Sequence, residues 1–104
     1  PIGIVFDTPS LQTLKLPTFL MWADKDQVVV PAFNVEPVAR SLPNLAGQEV
    51  IRGAGHFVFM SPCSDELSAI APEICTDNIG IDRRAIHTKL NTVILDFFSN
   101  TLKP

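Results

Sequence analysis

The stretch Gln48-Glu49-Val50-Ile51-Arg52-Gly53-Ala54-Gly55-His56-Phe57 decides how this chain is read. Its apolar run predicts a strand from Gln48 to Arg52, and the three small residues that follow predict a loop presenting a histidine. Upstream, a second strand-like run, Thr18-Phe19-Leu20-Met21-Trp22, ends in Ala23-Asp24-Lys25-Asp26. That run is apolar throughout and does not alternate, which suits a parallel strand covered by helices on both faces. Each strand therefore leads into a loop that carries a titratable side chain.

The rest of the chain fills in around these two strands. Ile2 to Phe6 reads as the end of a strand, Asp7-Thr8-Pro9-Ser10 as a turn, and Leu11 to Leu14 as a short helical turn. A helix is expected over Asn34 to Ser41, with Pro37 in its first turn and Pro43-Asn44 and Gly47 ending it. Turn residues dominate Ser61 to Ile81, interrupted by a short helix from Asp65 to Ile70. Asp82 is expected to cap a terminal helix running to about Leu102. Its apolar residues Ile86, Leu90, Val93, Ile94, Phe97 and Phe98 recur at helical spacing, as an amphipathic helix packed on a sheet requires. Strand, helix, strand, long loop, helix is an α/β order, and right-handed crossovers would make the strands parallel neighbours. Without a third strand from the N-terminal segment, at least one sheet edge should remain open.

Composition excludes several classes of function. The net charge is −3, from 8 Lys and Arg against 11 Asp and Glu, and no basic cluster is present, so a nucleic-acid partner is not expected. No apolar run approaches the ~18 residues of a membrane span, and no signal-peptide pattern is visible. At 104 residues the chain is one domain at most. Its apolar fraction of 46% and positive mean hydropathy of +0.25 lead us to expect apolar surface that belongs against further chain or a partner. The start at Pro1, without methionine, suggests a processed or truncated fragment. Cys63 and Cys75 could be two buried free thiols or a disulfide. A bridge over so short a loop would stabilise by roughly 3 kcal/mol and would imply a periplasmic or secreted protein, whereas free thiols would fit the cytoplasm. Two cysteines do not make a metal site, and they lack the Cys-X-X-Cys spacing of a redox domain.

A carboxylate on one strand-end loop and a histidine on the next form the acid–base half of a Ser-His-Asp arrangement. The run Pro17-Thr18-Phe19-Leu20-Met21-Trp22-Ala23-Asp24-Lys25-Asp26-Gln27-Val28-Val29-Val30-Pro31 resembles the penultimate core strand and acid-bearing turn of an α/β-hydrolase. Gly53-Ala54-Gly55-His56-Phe57 resembles that fold's histidine loop. The words Ser61-Pro62-Cys63, Ala71-Pro72-Glu73-Ile74-Cys75 and Asp82-Arg83 are similar to those of predicted dienelactone hydrolases. The resemblance spans about Leu16 to Leu102. It implies a partial α/β-hydrolase fold: parallel strands with flanking helices and a long amphipathic C-terminal helix, residues 1–104 forming a single incomplete C-terminal segment.

Carried over by position, Asp26 takes the place of the triad acid and His56 that of the general base. Asp24 competes with Asp26, which is preferred because the family's acid falls just before the Val-Val-Pro run. Ala23 departs from the glycine usual at that place. His87, beside Arg83, Arg84 and Asn91, is expected to be an exposed helix histidine. The nucleophile is missing, because none of Ser10, Ser41, Ser61, Ser64, Ser68 or Ser99 has the small flanking residues of a nucleophile elbow. The resemblance thus implies the acid/base-bearing part of a serine-type ester or lactone hydrolase, inactive alone, with no metal or organic cofactor. Its expected partners are the missing N-terminal hydrolase segment, or itself as a homo-oligomer, and a small ester or lactone for the complete enzyme. The alternative is a truncated, non-enzymatic remnant that self-associates.

Overall fold

Two parallel strands organise the computed structural model, which describes residues 7–103. The chain runs α1 (Thr8–Gln12), β1 (Thr18–Ala23), α2 (Pro31–Asn34), α3 (Glu36–Ser41), β2 (Leu45–Ile51), a 3₁₀ turn (His56–Phe59), α4 (Asp65–Ile70), α5 (Pro72–Cys75) and α6 (Arg83–Thr101). β1 and β2 pair in parallel, with Trp22 opposite Val50 and Ala23 opposite Ile51. The result is a small α/β arrangement with a long C-terminal helix. The run Ile2 to Phe6, read above as the end of a strand, lies outside the described residues.

Several local expectations are corrected. Asp7 to Ser10 is the capped first turn of α1 and not a separate turn, since the Asp7 carboxylate accepts from the Ser10 N–H at 2.9 Å. The helix expected over Asn34 to Ser41 forms as α3, Glu36–Ser41, with Pro37 in its first turn, and the unexpected element is the short α2, Pro31–Asn34, that precedes it. β2 begins at Leu45, because Gly47 belongs to the strand and does not stop a helix. The register slips between Thr18 and Phe19, whose partners are Leu45 and Gly47. A Cβ on Gly47 would lie 2.7 Å from the Phe19 ring, so the glycine makes room for a close cross-strand approach. α5 and the 3₁₀ turn add helical structure to segments whose composition reads as loop.

α6 starts where expected, with the Asp82 carboxylate accepting from the Ala85 N–H at 3.1 Å. It lies against one face of the sheet. Leu90 is buried, the Phe97 ring packs 5.5 Å from that of Phe19, and Lys89 pairs with Glu49 across to β2. Apart from Leu42, which precedes β2, the buried apolar residues Ala23, Ile51, Ala54, Val58 and Leu90 form one cluster, with Met21, Ile81 and Ile86 packed against it. It therefore sits at the carboxyl ends of the strands, beneath the loops that leave them.

Helices lie on both faces of β1, α6 against Phe19 and the α1–α3 side near Leu20, but neither face is fully covered. β1 stays half-buried from Thr18 to Trp22, and only Ala23 is fully buried. The accessible surface is 7117 Å², whereas a folded monomer of this mass should expose about 5,800 Å². Leu16, Phe33, Ile70 and Leu102 are strongly exposed, and the sheet has two strands, so each keeps an unpaired edge among the described residues. No helix of the described residues is long and apolar enough to cross a membrane.

With so few fully buried side chains, each matters. Leu90→Ala is expected to destabilise the fold by about 2–4 kcal/mol through lost burial and an unfilled cavity, measurable as a lower urea midpoint with unchanged slope.

Candidate active site

The carboxyl ends of β1 and β2 lie side by side, and the two loops leave the sheet stitched together. The Asp24 N–H donates to Ile51 O at 3.3 Å and the Lys25 N–H to Ala54 O at 3.0 Å. The chain then turns tightly, with the Asp26 N–H reaching back to Ala23 O at 3.3 Å. This turn aims the Asp26 side chain across to the neighbouring loop.

Asp26 Oδ1 accepts from the Val28 and Val29 N–H groups, at 2.9 and 2.7 Å. Its other oxygen, Oδ2, lies 2.9 Å from His56 Nδ1. The Asp26 side chain is 9% exposed and that of His56 20%. Burial alone would raise the Asp26 pKa, but the hydrogen bonds from His56, Val29 and Val28 and the charge on His56 outweigh it, holding the carboxyl below the ordinary 3.8. An ionised Asp26 can only accept, so Nδ1 of His56 carries a proton, and whenever the ring is neutral its lone pair is on Nε2. Nε2 makes no hydrogen bond among the described residues.

The loop that carries His56 is held from several directions. Gly53 has φ +77°, in the left-handed region where a side chain would be strained. Ala54 and Val58 are fully buried. Gly55 is different, since a Cβ there would meet open space. His87, expected to be exposed, is half-buried, and its Nε2 donates to Val58 O at 2.7 Å. Its neighbours Arg84 and Asn91 are exposed as their polarity suggests, but the His87 ring itself reaches inward to the 3₁₀ turn. His87 thus ties α6 to the turn holding His56.

Asp24, the competing acid, faces elsewhere. Its Oδ1 accepts from the Gly53 N–H at 2.7 Å, and its Oδ2 lies 3.9 Å from the exposed Arg52 guanidinium. Asp26 and not Asp24 meets the histidine.

The excursion between the 3₁₀ turn and α6 folds back over the same loop. Cys63 and Cys75 form a disulfide with Cα atoms 5.7 Å apart. Buried Arg83 pairs with Asp77 through two hydrogen bonds of 2.8 Å and donates to Ile74 O at 3.0 Å. Asn78 Nδ2 donates to Gly53 O at 2.8 Å. By composition alone Asp77 and Asn78 read as turn residues. One sequence signal does point to a partner: Arg83 and Arg84 stand in the first turn of α6, where the helix dipole disfavours a cation, so a carboxylate is called for.

His56 forms part of the wall of two clefts. One, of ≈ 490 Å³, is of mixed polarity and includes Lys25, Gln27, Phe57, Glu73 and Asn78. The other, of ≈ 450 Å³, is apolar and runs along Met21, Trp22, Phe59 and Met60, with Asp26 also in its wall. Thr76 supplies the one hydroxyl lining either cleft among the described residues, and it makes no hydrogen bond to His56. Both cysteine sulfurs are consumed in the disulfide. Ser41 donates its hydroxyl to Pro37 O, and Ser64 accepts from the Leu67 N–H as the cap of α4. Among the described residues no group of three His, Cys, Asp or Glu side chains is placed to hold a metal ion.

Comparison with known proteins finds no matching family model, no matching curated protein and no matching solved structure.

Two outcomes are expected. The depressed pKa of Asp26 means its contribution to stability is present above pH 3.8 and is lost as pH falls through the lower folded value. The stability of Asp26→Ala, followed by urea denaturation across this range, should therefore converge on that of the wild type in acid. Arg83→Ala, which strands the Asp77 carboxylate, should cost about 3 kcal/mol in the same assay.

Proposed function

We propose that Asp26 and His56 are the acid and general base of a serine-type hydrolase acting on esters or lactones, of the dienelactone-hydrolase kind. Their nucleophile and oxyanion hole are supplied by residues outside those described. The single observation carrying this reading is the 2.9 Å contact between His56 Nδ1 and Asp26 Oδ2, with Asp26 Oδ1 already occupied by two backbone N–H groups. A dyad so arranged leaves the Nε2 lone pair to take a proton from an attacking hydroxyl. Nε2 would then return that proton to the departing alkoxide, while Asp26 stabilises the imidazolium without becoming protonated itself. The position of the dyad supports the same reading, because open α/β sheets place ligands outside the carboxyl ends of their strands. In this reading the two strands belong to a partial α/β-hydrolase sheet, and the open edges are where further strands would pair. The disulfide favours an oxidising compartment, periplasmic or extracellular.

Supplied alone, the 104-residue chain should show no saturable turnover of a nitrophenyl ester and no fluorophosphonate label detectable by mass. Combined with the nucleophile-bearing segment, on the same chain or a second one, it should hydrolyse the ester. His56→Ala or Asp26→Asn should then lower kcat by on the order of 10⁴-fold. Label on a residue of this chain, or unchanged turnover in the His56 variant, would sink the reading.

A second reading is favoured by the exposed apolar side chains and open strand edges: a non-enzymatic small domain that self-associates. Sedimentation equilibrium separates the two. A homo-oligomer whose mass does not change when the nucleophile-bearing segment is added supports self-association, and a heteromeric mass supports the hydrolase.

A further inference from the structure

Taking Asp26 and His56 as the acid–base half of a triad, we propose that Asp24 and Asn78 are positioning residues. Together they grip the Gly53 peptide from both sides and so hold His56 within reach of Asp26. The Asp24 carboxylate takes the Gly53 N–H at 2.7 Å, and the Asn78 amide gives a hydrogen bond to Gly53 O at 2.8 Å. Gly53 is where the chain leaving β2 reverses through φ +77°, and His56 lies three residues beyond it. A glycine in this region is the least restrained point of the loop by its own torsional preferences. Without outside restraint, rotation at Gly53 would swing the imidazole, and a displacement of about 1 Å takes a 2.9 Å contact out of hydrogen-bond range.

The two grips come from opposite directions. Asp24 stands on the turn that presents Asp26, so it measures the position of the histidine loop against the acid itself. Asn78 stands on the far excursion, which is anchored by the Cys63–Cys75 disulfide and by the Arg83 contacts with Asp77 and Ile74. The role of Asp24 is that of a hydrogen-bond acceptor and not of an ion-pair partner. Its separation from Arg52 is 3.9 Å, and the Arg52 side chain is 81% exposed, a geometry that contributes little. Asn78 likewise acts as a donor, through Nδ2.

This division of roles makes the variants discriminating. Asp24→Asn keeps an acceptor oxygen for the Gly53 N–H, whereas Asp24→Ala removes it. Asn78→Ala and Asn78→Asp both remove the donor to Gly53 O. Arg52→Ala removes only the distant guanidinium. Nitrogen NMR of the intact chain reports the tautomer of His56, which general loosening elsewhere in the fold would not alter, and proton NMR reports the exchange of its Nδ1–H with solvent.

Asp24→Ala, Asn78→Ala and Asn78→Asp should mix the His56 tautomers and speed Nδ1–H exchange by about tenfold, as loss of one ordinary hydrogen bond implies. Asp24→Asn and Arg52→Ala should keep the wild-type signature. Should Asp24→Ala fail to fold, the variants of the exposed Asn78 carry the test. A folded Asp24→Ala or Asn78→Ala chain with the wild-type His56 signature overturns the proposal, as does an Arg52→Ala chain that loses it. Failure of the hydrolase reading would appear separately, as absent ester turnover in the combined protein with these spectral differences intact.

Discussion

The parallel register that sets Ala23 opposite Ile51 is the constraint on which the rest depends. In an antiparallel pair the two strands would release their loops at opposite ends of the sheet. In a parallel pair they release them together, and the ladder continues past the strands through Asp24 to Ile51 and Lys25 to Ala54. Asp26 and His56, separated by 30 positions in sequence, meet as a consequence. The small buried core lies directly below this junction, so the best-packed part of the molecule supports the two side chains of chemical interest.

The electrostatics of the pair follow from completeness. A poorly solvated carboxylate with a single partner tends to take up a proton. Asp26 has three donors spread over both oxygens, and it stays charged despite its burial. Its charge in turn selects the Nδ1–H form of the neutral histidine. A similar logic governs Arg83 and Asp77, where a buried guanidinium is matched by a carboxylate and a backbone carbonyl. One of its nitrogens, Nη1, stays buried without a partner, so the match is strong but not complete. That pair and the disulfide turn a segment rich in turn residues into a fixed support for the histidine loop.

Elements governed by local rules are legible in the amino-acid order. α6 carries an N-cap and apolar residues at helical spacing, and it forms where that pattern says, although Phe98 at the end of the apolar series is exposed. The two strands are short apolar runs bounded by turn residues, and they form within a few residues of the expected limits. Local pattern misleads where a residue answers to a distant neighbour. Gly47 resembles a helix terminator but accommodates the Phe19 ring. His87 stands among polar residues on its helix yet bonds to Val58 O across the domain. Asp77 and Asn78 have turn composition, and their partners lie on α6 and on the histidine loop.

By itself the sequence determined the α/β order, the capped terminal helix, the two loops bearing Asp and His, and the absence of a serine with elbow-like flanks. These depend on periodicity, caps and neighbouring residues, which act over a few positions of chain. Only the tertiary structure decided that Asp26 rather than Asp24 meets His56, that Cys63 joins Cys75, and that Gly53 is held between Asp24 and Asn78. Asp24 and Asp26 are the same residue type two positions apart. The hydrogen bonds that distinguish them are set by how the turn after β1 closes against the loop after β2, a contact between segments that share no local pattern.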